Sequence, residues 1–436
     1  MADPDTAVVA VEPLARPPCG SVAVPGSKSI TNRALILAAL SARTRPCRIV
    51  RAVACEDSAL MVRALEALGF VVRADWNTGA ITVGPTVSER PIPATSADLF
   101  TGNSGTTMRF LTAVVSLGHG TYRLDGVPRM RQRPIGDLLA ALHQAGVEAF
   151  SEGDNGCPPV VVRTRGLQTS SIRLRGQASS QFASGLLLAA PWAGRPITIE
   201  IVPPLVSRPY VDMTLAMLRA WGVRVHTDDR ADRLDIQVMP FCGEAPSQYV
   251  VEPDATAASY FFAAAAITGG QITVPGLSYA SLQGDVRFVR VLERMGCQVQ
   301  STDAGITVRG GPLHGIEVDM QDISDTVMTL AVVALFARGP TAIRNVAHIR
   351  HKESDRLHAL ATELSRLGAR VTELSDGLVI YPGPLRPGRV ETYQDHRLAM
   401  SLALVGLKVP GVHIADPGCV AKTYPDFWRD LATLRL

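Results

Sequence analysis

The stretch LEALGFVV at residues 65–72 carries a pattern that returns four more times along the chain. A leucine is followed by three residues, a glycine and the apolar start of a strand. Glycine just past a helix end readily adopts the left-handed backbone that stops the helix, so each copy predicts a helix that turns into a strand. The other copies lie at residues 142–146, 218–222, 292–296 and 364–368.

The glycines of the five copies are 72 to 77 residues apart. A constant period indicates repeated units, although five ordinary helix ends could also produce it. With a final helical segment at 426–436, the chain divides into six α/β units of about 75 residues. A chain of 436 residues is too long for one core, so the spacing predicts two domains with three units each.

The domain boundaries follow from a Pro/Gly-rich segment at residues 239–246, which lies between the third and fourth units. We expect residues 25–251 to form an inserted domain. The N-terminal strand then returns to join the rest of the chain, so residues 1–24 plus 252–436 form a discontinuous domain. We expect the active site in the cleft between the two domains.

The composition is that of a globular protein, with 47% hydrophobic and 19% charged residues and a net charge of +3. No long run of like charges is present, which argues against nucleic acid or a membrane surface as a partner. Residues 255–284 lack charge, but Gly269, Gly270 and Pro275 interrupt them before the roughly 20 residues of a membrane span. We therefore predict a buried helix followed by a strand.

The seven cysteines are scattered, with no C-x-x-C pair and no histidine at zinc spacing. This pattern indicates free thiols in a reducing compartment and no metal site. The first residues have neither a basic nor an apolar segment typical of a signal peptide. We therefore expect a cytoplasmic protein.

The segment PGSKSITNR at residues 25–33 predicts an anion site. We expect a strand over residues 21–24 to end at Pro25, and Ser27 or Ser29 to cap the helix that follows. Free backbone N–H groups at that helix start, together with Lys28 and Arg33, would attract an anion. The alternative is a capped helix with two surface cations.

Further polar clusters also precede predicted helices. In TGNSGTTMR (101–109), Asn103 can cap the helix and Gly105 lets a ligand approach the backbone. This segment is neither G-x-G-x-x-G nor a P-loop, so it does not indicate nucleotide binding. The arginines of VPRMRQRP (127–134) are either solvated loop charges or anion ligands. Hydroxyl groups start two more helices, near residues 179–181 and 207–210.

The second half of the chain holds the candidate acids and bases. Asp325 precedes an apolar helix and could be an N-cap or a general base. The segment HKESDR (351–356) could equally be a salt-bridged surface helix. Asp395, His396 and Arg397 open another helix, and Lys422 precedes the last one. If the units pack alike, these helix starts converge into a cationic cleft suited to phosphates and carboxylates.

In this order and combination, residues 25–33, 102–109, 352–356 and 395–397 resemble the enolpyruvyl transferases. The resemblance runs from about residue 25 to 425 and implies a two-domain inside-out α/β barrel with three units per domain. The loop 125–134 lacks the cysteine of the branch that acts on UDP-N-acetylglucosamine. We therefore favour the shikimate branch.

The resemblance implies transfer of the enolpyruvyl group of phosphoenolpyruvate to shikimate 3-phosphate, in aromatic amino acid biosynthesis. Asp325 would take the proton of the attacking hydroxyl group, Glu353 would protonate the substrate, and Lys28 would assist. No metal or organic cofactor is implied. We expect a monomer that glyphosate inhibits, because Gly105 leaves room for that compound.

The resemblance also implies two sets of binding residues. The residues for shikimate 3-phosphate are Lys28, Ser29, Arg33, Ser179, Ser180, Gln181, Ser207, Tyr210, Asp325, His348 and Lys352. Those for phosphoenolpyruvate are Lys28, Asn103, Gly105, Arg129, Gln181, Arg356, His396, Arg397 and Lys422. Two residues depart from the family pattern: many members carry asparagine at His348 and proline at Phe110.

Three alternatives remain at this point. The first is enolpyruvyl transfer to another acceptor, such as UDP-N-acetylglucosamine. The second is a non-catalytic phosphate-metabolite binder, which would not need Asp325 and Glu353 in an anion site. The third is a protein-binding repeat scaffold, which would favour an apolar groove over polar helix starts.

Overall fold

The computed structural model of the protein describes residues 7–435. The chain forms two compact units. Unit 1 contains the residues up to Pro25 together with those from Glu252 onward, and unit 2 contains Gly26–Val251. The chain therefore passes from one unit to the other at two places, Pro25/Gly26 and Val251/Glu252.

The strands are short, mostly three to six residues. In chain order they are β1 (Val8–Val11), β2 (Cys19–Ser21), β3 (Cys47–Val50), β4 (Val72–Asp75), β5 (Ala80–Val83), β6 (Ser96–Phe100), β7 (His119–Asp125), β8 (Glu148–Ser151), β9 (Val160–Arg165), β10 (Ser171–Arg175), β11 (Ile197–Val202), β12 (Val225–Asp229), β13 (Leu234–Val238), β14 (Gln248–Val250), β15 (Gln271–Val274), β16 (Gln298–Thr302), β17 (Gly305–Arg309), β18 (Glu317–Asp319), β19 (Thr341–Arg344), β20 (Arg370–Leu374), β21 (Gly377–Tyr381), β22 (Gly388–Val390) and β23 (Val412–Ala415).

The helices alternate with these strands. They are α1 (Lys28–Ser41), α2 (Glu56–Ala67), α3 (Gly105–Val114), α4 (Gly136–Gln144), α5 (Ser180–Ala189), α6 (Pro209–Ala220), α7 (Ala255–Thr268), α8 (Phe288–Arg294), α9 (Val327–Ala334), α10 (Arg356–Arg366), α11 (His396–Gly406) and α12 (Phe427–Ala432).

One order of elements repeats through both units: an edge strand, a helix, an inner strand, a second helix and a hairpin. The block β6-α3-β7-α4-β8-β9 shows it in full and forms the sheet β6-β7-β9-β8. Strands β6 and β7 are parallel, whereas β9 is antiparallel to both β7 and β8. Parallel neighbours need a crossover, which α3 supplies, and the hairpin completes the sheet.

Three sheets belong to each unit within the described residues. Unit 2 adds the sheets β14-β3-β5-β4 and β10-β11-β13-β12. Unit 1 contains β16-β17-β15-β2, β18-β19-β21-β20 and the three-stranded sheet β1-β23-β22. The predicted six-unit α/β fold with three units per domain is thus confirmed.

Strands from distant parts of the chain complete three of these sheets. Strand β14 pairs with β3, which precedes it by about 200 residues, and β1 pairs with β23 near the other end of the chain. Strand β2 pairs with β15 across the whole of unit 2. Among the residues that the structure describes, unit 1 therefore forms its strand pairs without any strand from the inserted segment.

The first helix of a block lies inside its unit. Every residue of α3, α9 and α11 is buried, and α1, α5 and α7 are nearly as enclosed. A helix that is apolar all round belongs in a core, so helices lie inside and the sheets outside, as the inside-out arrangement requires. The second helices are amphipathic; α10, for example, buries Leu357, Leu360 and Leu364 on one face.

The five repeat glycines end helices as predicted. Gly69, Gly146, Gly222, Gly296 and Gly368 all have positive φ, between +75° and +114°. Each follows the C-cap of α2, α4, α6, α8 or α10 and precedes the first strand of a hairpin. The left-handed conformation is accessible to glycine at little cost, which explains the residue type at this position.

Of two local predictions of secondary structure, one is wrong and one is confirmed. The strand expected over residues 21–24 is wrong, because β2 covers Cys19–Ser21 and residues 22–25 lie outside any strand. The uncharged segment 255–284 is confirmed as a buried helix followed by a strand, α7 and β15. Within residues 7–435, no helix is both long and apolar enough to cross a membrane.

Candidate active site

In unit 2, the start of α1 presents Lys28 against a buried carboxylate. Lys28 is the first helical residue, and Ser27 holds the N-cap position without a side-chain capping bond. The Lys28 Nζ atom lies 3.0 Å from Asp57 Oδ2 in the first turn of α2, and the Asp57 side chain is almost completely buried. Sequence reasoning missed Asp57, whose ion pair fixes the direction of the lysine.

Arg33 is turned inward instead of lying at the surface. Its guanidinium group donates from Nε to Thr214 Oγ1 (2.8 Å), from Nη1 to the Ser29 carbonyl (2.9 Å) and from Nη2 to Ser184 Oγ (3.1 Å) and the Tyr210 carbonyl (3.2 Å). Four of its five donors are therefore used within unit 2. Burial lowers the pKa of Arg33 to about 10, which still leaves it charged at pH 7.

At the start of α3, the capping residue is not the one predicted. Ser104, and not Asn103, is the N-cap, because its Oγ accepts a hydrogen bond from the Thr107 backbone N–H. The carbonyl and side-chain oxygens of Asn103 instead accept from Arg133 Nη1, at 3.0 and 3.1 Å. A Cβ atom on Gly105 would lie 2.6 Å from Arg133 Nη2. Glycine at this position therefore leaves room for the Arg133 guanidinium group.

The three arginines after β7 have different environments. Arg131 forms a bidentate pair with Asp125, at 3.0 and 2.8 Å. Arg133 is buried against Asn103. Arg129 is partly exposed and donates to Gln132 Oε1 at 3.2 Å. The resemblance implies Arg129 as the anion ligand of this loop. Arg129 is more enclosed than Arg131 and less enclosed than Arg133.

Hydroxyl groups mark the starts of α5 and α6. Ser179 caps α5 through a hydrogen bond from the Gln181 backbone N–H (3.2 Å), and Ser180 is buried behind it. Ser207 adopts a left-handed backbone conformation, with φ of +52°, before α6. The ring of Tyr210 lies 5.9 Å from the Arg33 guanidinium carbon, which links this turn to α1.

In unit 1, Asp325 is an ion-pair partner and not a helix cap. It lies in a short 3-10 segment before α9, whose N-cap is Thr326. Its Oδ1 accepts from Arg356 Nη1 at 3.3 Å, and its Oδ2 accepts from Arg397 Nη2 at 2.6 Å. Burial alone would raise the pKa of Asp325, but the charges of Arg397, Lys352 and Arg356 outweigh it and hold that pKa well below its usual range.

Arg356 is the centre of this cluster and is completely enclosed. Its Nε donates to Asp395 Oδ2 at 2.8 Å, and its Nη2 donates to Glu353 Oε2 at 2.9 Å. Asp395 also accepts from Ser354 Oγ and from the Arg397 backbone N–H, so it caps α11 as well. The alternative of a salt-bridged surface helix is wrong at this end of α10, because Arg356, Glu353 and Asp395 are all buried.

The remaining predicted residues of unit 1 surround the same cluster. Burial and the charge of Lys352 lower the pKa of His348 to about 3. Burial and the charge of Arg397 hold the pKa of His396 well below its usual range, and Lys422 acts in the same direction. Both imidazoles are therefore neutral at pH 7, and Lys352 and Lys422 lie close enough to the cluster for their charges to act on it.

The arrangement can hold anions and move protons. Unit 1 brings together a carboxylate ringed by cations, a second carboxylate three residues from a buried arginine, and two neutral histidines. Unit 2 brings together cations and hydroxyl groups at the starts of α1, α3, α5 and α6; the bond from Asn32 Nδ2 to Thr106 Oγ1 (2.8 Å) ties α1 to α3. The structure thus places many of the predicted site residues at helix starts, whereas His348, Lys352 and Lys422 lie in or directly after 3-10 segments.

Comparison with known proteins identifies the relatives of this architecture. The family model described as EPSP synthase (3-phosphoshikimate 1-carboxyvinyltransferase) matches residues 16–431. A 3-phosphoshikimate 1-carboxyvinyltransferase of Nostoc punctiforme is 46% identical over 96% of this chain and 97% of its own length. The chloroplastic enzyme of Solanum lycopersicum is 44% identical over 94% of this chain and 82% of its own length.

Solved structures agree with this result. EPSP synthase from Acinetobacter baumannii superposes with a TM-score of 0.78 at 25% identity and covers 98% of both chains. The enolpyruvyl transferase NikO from Streptomyces tendae, at 22% identity and a TM-score of 0.76, shares the fold. The fold is therefore that of the enolpyruvyl transferases. Within that class, the chain belongs to the EPSP synthase family, as the match over residues 16–431 and the 46% identity show.

Proposed function

We infer that the protein transfers the enolpyruvyl group of phosphoenolpyruvate to the 5-hydroxyl group of shikimate 3-phosphate and releases phosphate. This reaction belongs to the shikimate pathway of aromatic amino acid biosynthesis. The observation that carries the inference is the family match over nearly the whole chain, including both helix-start clusters. The comparisons do not support UDP-N-acetylglucosamine as acceptor or a non-catalytic binder.

We propose that the two clusters act on the same pair of substrates. The cations Lys28, Arg129, Arg356, Arg397 and Lys422 fit the phosphate and carboxylate of phosphoenolpyruvate. Two anionic substrates repel one another, so their alignment against fixed cations lowers the barrier more than any single proton transfer. Asn103, Gly105, Gln181 and His396 complete the proposed site for phosphoenolpyruvate.

Shikimate 3-phosphate would meet the hydroxyl-rich helix starts of unit 2 and the acidic end of unit 1. Ser29, Ser179, Ser180, Gln181, Ser207 and Tyr210 are the proposed ligands from unit 2, with Lys28 at the junction of both substrates. Asp325, His348 and Lys352 are those from unit 1. Arg33 has at most one donor left for substrate, so its larger role is to fix the carbonyl groups of Ser29 and Tyr210.

The proposed chemistry is an addition followed by an elimination. Glu353, which takes up a proton from solvent beforehand, protonates C3 of phosphoenolpyruvate while the 5-hydroxyl oxygen attacks C2 and gives its proton to Asp325. In the tetrahedral intermediate, C3 returns a proton to Glu353 as the C2–O bond to phosphate breaks. The proton taken by Asp325 leaves with phosphate, so the enzyme ends as it began. Positioned acid–base groups contribute roughly 10²–10⁴-fold each.

The free state of all seven cysteines fits a reducing compartment, and we propose that the protein acts in the cytoplasm. We further propose that it works as a monomer, without nucleic acid or a membrane as a partner. Gel filtration with light scattering at micromolar protein tests the monomer. A mass of twice 46.5 kDa or more would contradict it.

The test is phosphate release from phosphoenolpyruvate with and without shikimate 3-phosphate. We expect release only with both substrates, inhibition by micromolar glyphosate in competition with phosphoenolpyruvate, and no turnover by Asp325→Ala. Release with UDP-N-acetylglucosamine instead would reassign the acceptor. Near-normal turnover by Asp325→Ala would exclude that residue as the base.

A further inference from the structure

The two arginines on Asp325 differ in burial and in the distance at which they contact its carboxylate. Arg356 is 1% exposed and is bound by Asp395 through two nitrogens (2.8 and 3.3 Å) and by Glu353 at 2.9 Å. Arg356 also contacts Asp325, at 3.3 Å. This distance is longer than its shortest contacts with Glu353 (2.9 Å) and Asp395 (2.8 Å). Glu353 and Asp395 therefore hold Arg356 independently of its contact with Asp325.

Arg397 is placed differently. Its backbone N–H is fixed by Asp395, but its guanidinium group makes a 2.6 Å ion pair with Asp325. The side chains of this pair are 8% and 15% exposed, so they lie at the edge of the cluster and not in its centre. A small anion can reach such a guanidinium group, and it competes there with the carboxylate for the same donors.

We propose that Arg397 is exchanged between Asp325 and the anionic substrate, so that Asp325 becomes an effective proton acceptor only after the anion has bound. This inference rests on the proposed function. In the resting enzyme Arg397 neutralises the carboxylate; an arriving phosphate or carboxylate group takes over the guanidinium donors. Asp325 then accepts the proton of the 5-hydroxyl group as the oxygen forms its new bond to carbon.

The electrostatics of the cluster support this order. Lys352, Arg356 and Arg397 face Asp325 with positive charge, Glu353 faces it with negative charge, and His348 is neutral. A carboxylate whose pKa lies well below its usual range is a weak base near neutral pH. The loss of a close cation raises that pKa. Anion binding would thus supply the base strength that the resting site lacks.

Thermodynamic reciprocity makes the exchange testable without turnover. If Asp325 and the anion compete for Arg397, the Asp325 carboxylate weakens anion binding by some factor. Removal of the carboxylate must then strengthen anion binding by the same factor. We expect Asp325→Asn to bind inorganic phosphate and phosphoenolpyruvate roughly tenfold more tightly than the wild-type protein, within the usual range of such couplings. Isothermal titration calorimetry on the full-length protein measures this change.

The matched control is Asp322→Asn. Asp322 lies on the same 3-10 segment and pairs with Arg287 at the surface, at 3.5 Å. Its loss changes the net charge equally without touching Arg397. Equal tightening in both variants, or weaker binding by Asp325→Asn, would overturn the exchange.

A second measurement uses the wild-type protein and does not depend on the folding of a variant. In arginine-labelled protein, the guanidinium NMR signal of Arg397, assigned by its loss in Arg397→Lys, should shift on titration with inorganic phosphate. The signal of Arg356, whose guanidinium group is also held by Asp395 and Glu353, should shift less than that of Arg397. An unmoved Arg397 signal at saturating phosphate would overturn the inference.

The outcomes also separate this inference from the proposed function. Turnover of phosphoenolpyruvate and shikimate 3-phosphate without the binding change leaves the function and removes the exchange. The binding change without turnover leaves an anion-responsive Asp325 and removes the assigned reaction.

Discussion

Arg33 in unit 2 and Arg356 in unit 1 are equally buried, each 1% exposed, yet their guanidinium groups have opposite kinds of partner. Among the described residues, Arg33 bonds to hydroxyl and carbonyl oxygens, with the ring of Phe110 at 4.9 Å. Arg356 bonds to three carboxylates, those of Asp325, Glu353 and Asp395. Burial therefore lowers the pKa of Arg33 to about 10, whereas the carboxylates overcome burial and raise that of Arg356.

This difference teaches how one repeated block serves two tasks. Neutral dipoles around Arg33 hold the helices of unit 2 together. Carboxylates around Arg356 form a network in which removal of one charge disturbs the others. Under the proposed function, the groups around Arg33 would serve substrate binding alone, whereas those around Arg356 would serve both binding and proton transfer.

The largest expected effect comes from deletion of each arginine. Arg356→Met removes the arginine that pairs with the buried carboxylates of Glu353 and Asp395 and should cost about 3–5 kcal/mol of stability. Arg33→Met leaves neutral groups, which cost about 1–3 kcal/mol when unsatisfied. Urea unfolding at pH 7 measures both, and equal losses would break the comparison.

A pair of glycine substitutions asks whether the guanidinium groups of unit 2 can move. A Cβ on Gly105 would meet the flexible ends of Arg133 and Arg109, at 2.6 and 2.8 Å. We expect Gly105→Ala to change stability by less than about 1 kcal/mol but to raise the KM for phosphoenolpyruvate about tenfold, as the cations shift. Steady-state kinetics and thermal melting test both parts; an unchanged KM would contradict the displacement.

Gly185→Ala is the matched control in the neighbouring helix. Its Cβ would lie 2.9 Å from the Arg109 carbonyl oxygen and 3.2 Å from Ala113 Cβ, which belong to the close-packed α3. Backbone cannot give way as a side-chain end can, so we expect a loss of about 1–3 kcal/mol. A loss no greater than that of Gly105→Ala would show that the two contacts yield equally.

Acid should weaken unit 1 before unit 2. His348 and His396 are neutral in the folded protein because burial, and then the charges of Lys352 and Arg397, lower their pKa values. Unfolding restores a pKa near 6.5, so the unfolded chain binds more protons below that pH. Stability therefore falls as the pH drops from about 6.5 towards 3, by up to about 1.4 kcal/mol per pH unit for each histidine.

Hydrogen exchange between pH 6.5 and 4.8 follows this loss, with unit 1 amides expected to lose protection first. His348→Asn removes one of the two protons and should roughly halve the slope. Simultaneous loss of protection in both units would argue against histidines as the cause.

The smallest expected effect concerns catalysis by His348→Asn. A neutral imidazole and an amide both present a donor and an acceptor, so asparagine can replace the contacts of a histidine that never becomes charged. We expect kcat within about threefold of wild type at pH 7, a change below 1 kcal/mol. His348→Ala, which lacks both groups, should lose more; a large loss in His348→Asn would indicate that the imidazole itself is needed.

Much of the fold could be predicted because its signal is local. A glycine at the end of a helix is favoured by the backbone conformation of that one residue. The five sequence copies, at Gly69 and the four later repeat glycines, therefore reveal the blocks directly. The partners of β14 and β1 could not be predicted. These strands have three and four residues, and they pair with strands hundreds of residues away, which no local periodicity records.

The candidate site divides in the same way. Residue types at helix starts indicated where polar groups collect, but the choice of Ser104 over Asn103 as cap depends on Arg133, which is distant in sequence. Asp57 gave no usable signal, because acidic residues are common in the first turn of any helix. The ion pairs of Asp325 likewise arise from helices that only tertiary packing brings together.

The positions at which the chain leaves unit 1 and returns to it have a consequence for genetic recombination. The Asp254 N–H bonds to the Pro25 carbonyl at 2.8 Å, so the chain leaves unit 1 and returns to it at adjacent points. Every strand that pairs in unit 1 lies outside residues 26–251. A recombination event at these two codons would therefore exchange the whole inserted segment as a cassette, without cutting a strand pair of the host.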